Sequence, residues 1–226
     1  MRGWAFLALM VVGCSDLTEG PGGVVELEVS TPEVSQVEVG ETLQLLARAL
    51  NKDGNPTDVP ITWLSSDPAV IFVDNTGLVT GIAAGTAQVQ ASVGSLSSAR
   101  IPLTAITRAD TVVIVSDSVI VVPAGAPASA PLAVQVLSFS QAGPLGNRPV
   151  VFTVTSPPDV GGHTVELPGG VLIDTISTGP GGDGGGVTLN RTGLPSPDTA
   201  IVQVRSYHAS GADVPGSGQR FIVLFQ

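Results

Sequence analysis

The hydrophobic and polar residues of this chain alternate in short runs that predict β-strands. Two such runs, at residues 61–64 and 70–73, flank the turn-forming sequence SSDP at residues 65–68. A third run, at residues 78–80, follows the turn sequence DNTG at residues 74–77. Short strands separated this often by Pro, Gly, Asn and Asp are typical of an antiparallel β-sandwich.

The same alternation predicts the other strands of the first half. The turn between two of them contains Gly54, which can adopt a positive φ. The segment 42–50 is ambiguous because its leucines also fit helical spacing; we interpret it as one strand, since its neighbours are strands. We expect Trp63 to be the central aromatic side chain of the core. The predicted strands lie at residues 24–29, 37–39, 42–50, 86–93 and 98–106.

The second half of the chain has a similar pattern and begins after a short charged linker at residues 107–110. We expect residues 171–176 to pair with residues 187–189 across a Gly-rich connection. The predicted strands lie at residues 112–115, 119–122, 132–137, 150–154, 171–176, 187–189, 201–204 and 221–225. The sequence therefore predicts an all-β protein with two domains, at residues 24–106 and 111–226.

Several motifs of the first half resemble one family. The sequences VGET at residues 39–42, TWLSSDP at 62–68, GLVTG at 77–81 and AGTA at 84–87 are similar to those of bacterial immunoglobulin-like domains of group 2. The second half, with NRPVVFTV at residues 147–154, resembles the invasin-type domains of group 1. The resemblance implies two tandem immunoglobulin-like antiparallel β-sandwiches, of a kind found in adhesins such as intimins, used as spacers or as binding modules.

The first residues predict a cleaved signal peptide. Arg2 precedes an apolar run of about nine residues, whereas a helix needs about 20 to span a bilayer. The ending VVGC at residues 11–14 resembles the bacterial lipobox, which implies a signal peptide at residues 1–13, lipidation of Cys14 and a tether at residues 14–23. The alternative is an ordinary secretory signal with an incidental cysteine. In some bacterial lipoproteins with this motif an aspartate directly after the cysteine signals retention in the inner membrane. Ser15 follows Cys14 here, so the resemblance implies the outer membrane.

The charge of the chain excludes one class of partner. Its 226 residues include 9 Lys and Arg against 19 Asp and Glu, for a net charge of −10. Nucleic-acid binding depends on basic residues that displace counterions, so we expect no nucleic-acid partner. Lys52 is the only lysine, so a polybasic membrane patch is also absent, and membrane attachment would depend on the N-terminal lipid.

The sequence offers no pattern for catalysis, a cofactor or a metal. The Gly-rich segment 179–186 lacks the Lys and the Ser or Thr of a phosphate-binding loop, so we expect a hairpin loop. Neither His163 nor His208 belongs to a ligand pattern, and we expect both to face solvent. Six turn aspartates offer oxygen atoms to calcium, but we expect them to cap their own backbone. They are Asp53, Asp58, Asp67, Asp74, Asp159 and Asp183.

A carbohydrate-binding surface would need exposed aromatic side chains. Tyr207 and Phe139 are the candidates, but aromatic residues make up only 4% of the chain, and we expect both to pack in the core or at a sheet edge. The sequence therefore favours a membrane-anchored, non-catalytic module for cell-surface adhesion or protein interaction. The alternatives are a structural spacer or accessory subunit in the periplasm and a carbohydrate-binding module.

Overall fold

The computed structural model describes most of the chain after residue 20. It covers residues 21–30, 32–141, 143–157, 164–182, 186–193 and 198–226. The predicted signal peptide, Cys14 and most of the predicted tether lie outside the described residues. His163, Asp159 and Asp183 also lie outside them.

The first β-sandwich is built from short strands that follow a single 3-10 turn at Pro21–Gly23. Most of them alternate buried and exposed positions, as the sequence predicts. The strands are β1 Val24–Ser30, β2 Gln36–Glu38, β3 Thr42–Gln44, β4 Leu46–Asn51, β5 Pro56–Thr57, β6 Thr62–Ser65, β7 Ile71–Val73, β8 Leu78–Gly81, β9 Gly85–Val93, β10 Leu96–Ser97 and β11 Ile101–Ile106.

These strands form three hydrogen-bonded sheets, in the orders β1-β4-β5, β3-β8-β7 and β10-β9-β11-β2, with β6 also paired to β9. Their inner faces enclose an apolar core in which Trp63 is the large aromatic side chain, as predicted. Gly77, at the end of the predicted turn, has φ +81°, and a Cβ atom there would lie 3.0 Å from the Trp63 ring. A side chain at this position would push the ring out of place.

The second β-sandwich follows directly and has its own core. Its strands are β12 Thr111–Ile114, β13 Val119–Val122, β14 Val134–Ser138, β15 Gly143–Pro144, β16 Pro149–Ser156, β17 Val165–Glu166, β18 Ile173–Ser177, β19 Asn190–Arg191, β20 Thr199–Ser206 and β21 Arg220–Phe225. They form sheets in the orders β12-β14-β15, β13-β21-β20-β16-β18 and β17-β19. Phe152 and Phe221 stack in the core with ring centroids 6.5 Å apart.

The chain is therefore folded as two tandem β-sandwiches, as expected, and each contains one parallel pair among its named strands. Strand β2 pairs with β11 in parallel, and β13 pairs with β21 in parallel. All other named strand pairs are antiparallel. Among the described residues, no helix has the length and apolar character needed to cross a membrane.

The structure corrects two of the strand predictions. The segment 42–50 is not one strand: it breaks at the buried Leu45, so that β3 and β4 belong to different sheets. Strand β18 pairs with β16 and not with residues 187–189, and Val187 instead forms a bridge with Leu132. Both errors arise because strand partners are chosen by tertiary packing, which local alternation does not encode.

The strand directions place the start of the described chain far from the second sandwich. Strand β9 begins at Gly85 beside Ala105 of β11, and β11 leads into the second sandwich. Strand β9 has 9 residues, which corresponds to about 30 Å. At its other end, Gly94 lies against Pro21. The segment that leads back to the predicted tether therefore meets the first sandwich at the end opposite to the second.

Candidate functional site between the two sandwiches

Glu38, at the end of β2, is fully buried where the two sandwiches meet. Its Oε1 atom lies 2.9 Å from Nη1 of Arg148, and its Oε2 atom lies 2.7 Å from Nδ1 of His208. The backbone N–H of Ala109 also donates to Oε2, over 3.1 Å. A carboxylate of the first sandwich is thus held by three groups from the linker and the second sandwich.

A tight turn brings a second carboxylate to the same place. The N–H of Glu41 donates to the carbonyl of Glu38 over 2.9 Å, and Gly40 has φ +83°, a conformation that favours glycine. The Oε1 atom of Glu41 then lies 3.3 Å from Nδ1 of His208. The neighbouring strand β8 approaches closely because Gly81 has no side chain: a Cβ atom there would lie 2.6 Å from the Glu38 carbonyl.

Arg148 is positioned by the first residues of β16 and by one buried threonine. The hydroxyl of Thr178 accepts a hydrogen bond from the Arg148 N–H and donates one to the carbonyl of Leu145. The guanidinium then reaches Glu38 through Nη1 and the carbonyl of Thr107 through Nη2. Both the linker and the first sandwich are therefore bound by the same side chain.

His208 begins the turn that follows β20. The backbone N–H of His208 donates to the carbonyl of Ala212. The backbone carbonyl of His208 accepts from the N–H of Gly211, which has φ +85°. The side chain is only 6% exposed and faces both glutamates. The expectation that His208 faces solvent is therefore wrong, because its carboxylate partners come from the other end of the sequence.

An open cleft of about 590 Å³ lies beside these groups, between the two sandwiches. Its lining comes from both domains and includes Gln36, Thr107, Asn147, Arg148, Tyr207 and His208. A smaller hollow of about 270 Å³ is lined by Gly40, Glu41, Thr42 and Ser210. The ionic cluster therefore has an opening on the Arg148 side and another on the Glu41 side.

The cluster has two chemical capacities. The buried Glu38 carboxylate pairs with the Arg148 guanidinium, and His208 links it to the partly exposed Glu41 carboxylate. Charge-assisted hydrogen bonds of this kind fix the geometry of the groups that they join. Glu38, Glu41 and His208 also offer two oxygen atoms and one nitrogen atom within 4.8 Å of one another, a set that can hold a metal ion. The sequence alone did not single out Glu38, Glu41 or Arg148, because their partners are distant in the chain.

Two of the turn aspartates in the first sandwich, Asp67 and Asp74, accept hydrogen bonds from the backbone of their own turns, as expected. The Asp67 carboxylate accepts from the N–H of Ala69, and the Asp74 carboxylate accepts from Thr76 and Leu78. Hydrogen bonds from the Thr76 side chain and the Leu78 backbone lower the pKa of Asp74 below its ordinary value of 3.8.

The two candidate carbohydrate-stacking residues differ. Tyr207 is half-buried and lines the cleft. Phe139 is 73% exposed, so the expectation that it packs in the core or at an edge is wrong. Its N–H donates to the Asp110 carboxylate over 2.7 Å, which holds this turn at the end of β14 close to the junction.

Residues 26–101 match the family described as the bacterial Ig-like domain (group 2). The first sandwich is a group 2 bacterial Ig-like domain. This assignment agrees with the motifs on either side of Trp63. Ig-like domains of this family are in general non-catalytic, and they fit a surface or interaction module of the bacterial cell envelope.

A segment of the chain is similar to part of lacto-N-biosidase from Bifidobacterium bifidum, with 42% identity over 65 residues. The match covers 29% of this chain and 6% of that protein. The chain thus shares one short segment with a far longer enzyme.

Two solved structures are similar to the chain at low identity. The adhesin InvE of Yersinia pseudotuberculosis is 15% identical, with a TM-score of 0.42 over 92% of this chain and 61% of that one. The D00-D0 domain of intimin is 14% identical, with a TM-score of 0.31 over 89% of this chain and 100% of that one.

Proposed function

We propose that this protein is a lipid-anchored, non-catalytic module of the bacterial cell envelope that presents two Ig-like sandwiches as one rigid unit for adhesion or protein interaction. The anchor would be the diacylated Cys14, at the end of a signal peptide covering residues 1–13. Stable anchoring requires more than one acyl chain, which lipidation of an N-terminal cysteine supplies.

The observation that carries the proposal is the buried Glu38–Arg148 pair across the junction. Tandem domains joined by a short linker move relative to each other unless their interface holds them. Here the linker residues Thr107 and Ala109 are themselves hydrogen-bonded to Arg148 and Glu38. Two sandwiches that are held as one rigid unit, with the tether at one end, would present the other end away from the membrane.

The path of the chain supports the same arrangement. Pro21 lies against Gly94, at the end of the first sandwich that faces away from the second. The predicted tether at residues 14–23 would therefore place the first sandwich next to the membrane and the second sandwich outward. The net charge of −10 disfavours a nucleic-acid partner, so the proposed partner is a protein or a glycan.

The proposal is tested by protease treatment of intact cells, with detection by an antibody against the second sandwich and a lysed-cell control. Digestion in intact cells is the expected result. Protection until lysis would favour the alternative function of a structural spacer or accessory subunit in the periplasm, which the rigid junction also suits.

The anchor is tested separately with a Cys14→Ala variant and a matched Ser15→Ala control. We expect metabolic palmitate labelling and membrane fractionation to be lost in the first and kept in the second. Labelling of both proteins, or of neither, would contradict lipidation at Cys14. Outer-membrane placement is tested by density-gradient separation of the two membranes.

A further inference from the structure

We propose that Glu38, Glu41 and His208 form a Zn²⁺ site that joins the two sandwiches. The oxygen ligands come from the turn after β2 in the first domain, and the nitrogen ligand comes from the turn after β20 in the second. An ion bound by all three would cross-link the domains at the junction. This inference concerns the junction itself and does not depend on how the protein is anchored.

The distances between the ligand atoms suit a small tetrahedral ion. Zinc binds imidazole nitrogen and carboxylate oxygen at about 2.0–2.2 Å, so that two ligand atoms of a tetrahedral site lie about 3.3–3.5 Å apart. Nδ1 of His208 lies 3.3 Å from Oε1 of Glu41, and 2.7 Å from Oε2 of Glu38. All three ligand atoms lie within 4.8 Å of one another, so a movement of the two carboxylates toward a shared ion would complete the three-ligand set, with water as the fourth ligand.

The surrounding charges favour a dication. Glu38 and Glu41 bring two negative charges, and Arg148 compensates only one of them. Arg148 binds Oε1 of Glu38 and so leaves Oε2 directed at His208. Carboxylates that ligate metals are themselves hydrogen-bonded by outer groups that fix their orientation, and Arg148 would have this role for Glu38.

The site is buried but can be reached. Glu38 is fully buried, whereas the side chain of Glu41 is 20% exposed. The hollow lined by Gly40, Glu41, Thr42 and Ser210 opens on one side of the cluster, and the interdomain cleft opens beside His208. These two openings provide an entry path for the ion and room for a water ligand.

The test is a titration of the purified, tag-free chain with Zn²⁺ by calorimetry, and with Co²⁺ followed by its visible absorption. We expect one ion per chain and a rise in the thermal midpoint that EDTA reverses. Glu41→Gln and His208→Gln should each weaken Zn²⁺ binding at least tenfold. Glu28→Gln, an exposed carboxylate on β1, is the matched control and should bind as the parent does.

Glu41→Gln keeps the inference falsifiable if His208→Gln fails to fold, because the Glu41 side chain is 20% exposed, whereas that of His208 is 6% exposed. Circular dichroism would verify the fold of each variant. Absence of binding to the parent chain at about 1 mM Zn²⁺ would overturn the proposal. Unchanged binding in a folded Glu41→Gln variant would also overturn it.

Discussion

The Nη1 atom of Arg148 lies 2.9 Å from Oε1 of Glu38, although the two residues are 110 positions apart and belong to different sandwiches. Both side chains are nearly inaccessible to water. A buried pair of this kind is weak evidence for net stability, but removal of one partner leaves an uncompensated buried charge. The junction should therefore be intolerant of changes to either residue alone.

The first prediction concerns this pair. We expect Glu38→Gln to lower the free energy of unfolding by about 3–5 kcal/mol, because the Arg148 guanidinium loses its counter-charge in a buried site. The measurement is urea unfolding in the presence of EDTA, followed by the fluorescence of Trp63 and by far-ultraviolet circular dichroism.

An exposed pair provides the control for that experiment. Arg205 and Asp213 lie 2.7 Å apart, with side chains 42% and 46% exposed. Arg205→Met should cost no more than about 1 kcal/mol, since exposed ion pairs contribute little. Equal effects of Glu38→Gln and Arg205→Met would show that the junction pair has no special role.

The second prediction compares two glycines with similar backbone conformations. Gly77 has φ +81°, and a Cβ atom there would lie 2.6 Å from the carbonyl oxygen of Leu45. Gly54 has φ +75° with open space around it. We expect Gly54→Ala to cost about 1 kcal/mol from backbone strain alone, and Gly77→Ala to cost clearly more, in thermal and urea unfolding. Equal costs would mean that the Leu45 carbonyl and the Trp63 ring both adapt without penalty.

The third prediction uses the lowered pKa of Asp74. A carboxyl group whose pKa is lower in the folded state stabilises the fold above its unfolded pKa, and this contribution disappears as the pH falls through the folded pKa. Asp74→Asn should therefore lower the urea midpoint at pH 7, and the difference from the parent should shrink below the ordinary pKa of 3.8. Asp53→Asn is the control, and a difference for Asp74→Asn that persists unchanged at pH 3 would contradict this explanation.

The fourth prediction concerns the exposed Phe139. Because its side chain is 73% exposed, Phe139→Ala should change the free energy of unfolding by no more than about 0.5 kcal/mol. Phe152→Ala, in the core, should cost about 3–5 kcal/mol. The same Phe139→Ala protein tests the carbohydrate alternative on a glycan array: binding by the parent that is lost in the variant would favour a carbohydrate-binding module over the proposed function.

The sequence predicted the strands of both sandwiches well where alternation is strong. Strand β9 and the turn after β7 lie where expected, and Trp63 is in the core. In these segments the pattern of burial along the strand is a local property, so a single sequence contains it.

The junction could not be predicted in the same way. Glu38 stands in an apolar strand between two valines and has the local appearance of an exposed position. Its partners Ala109, Arg148 and His208 lie 71, 110 and 170 positions away. Burial of a carboxylate depends on those partners, and no local pattern identifies them. The same limit explains the wrong partner predicted for β18.

The hydrogen bonds of the linker have a mechanical consequence. A pull between a membrane and a bound partner would run through residues 107–110, the only covalent connection between the sandwiches. This segment cannot lengthen while Arg148 holds Thr107 and Glu38 holds Ala109. Tension would therefore act on the Glu38–Arg148 ion pair before it acts on the backbone of either sandwich. The force at which the junction first opens would then be set by these two side chains.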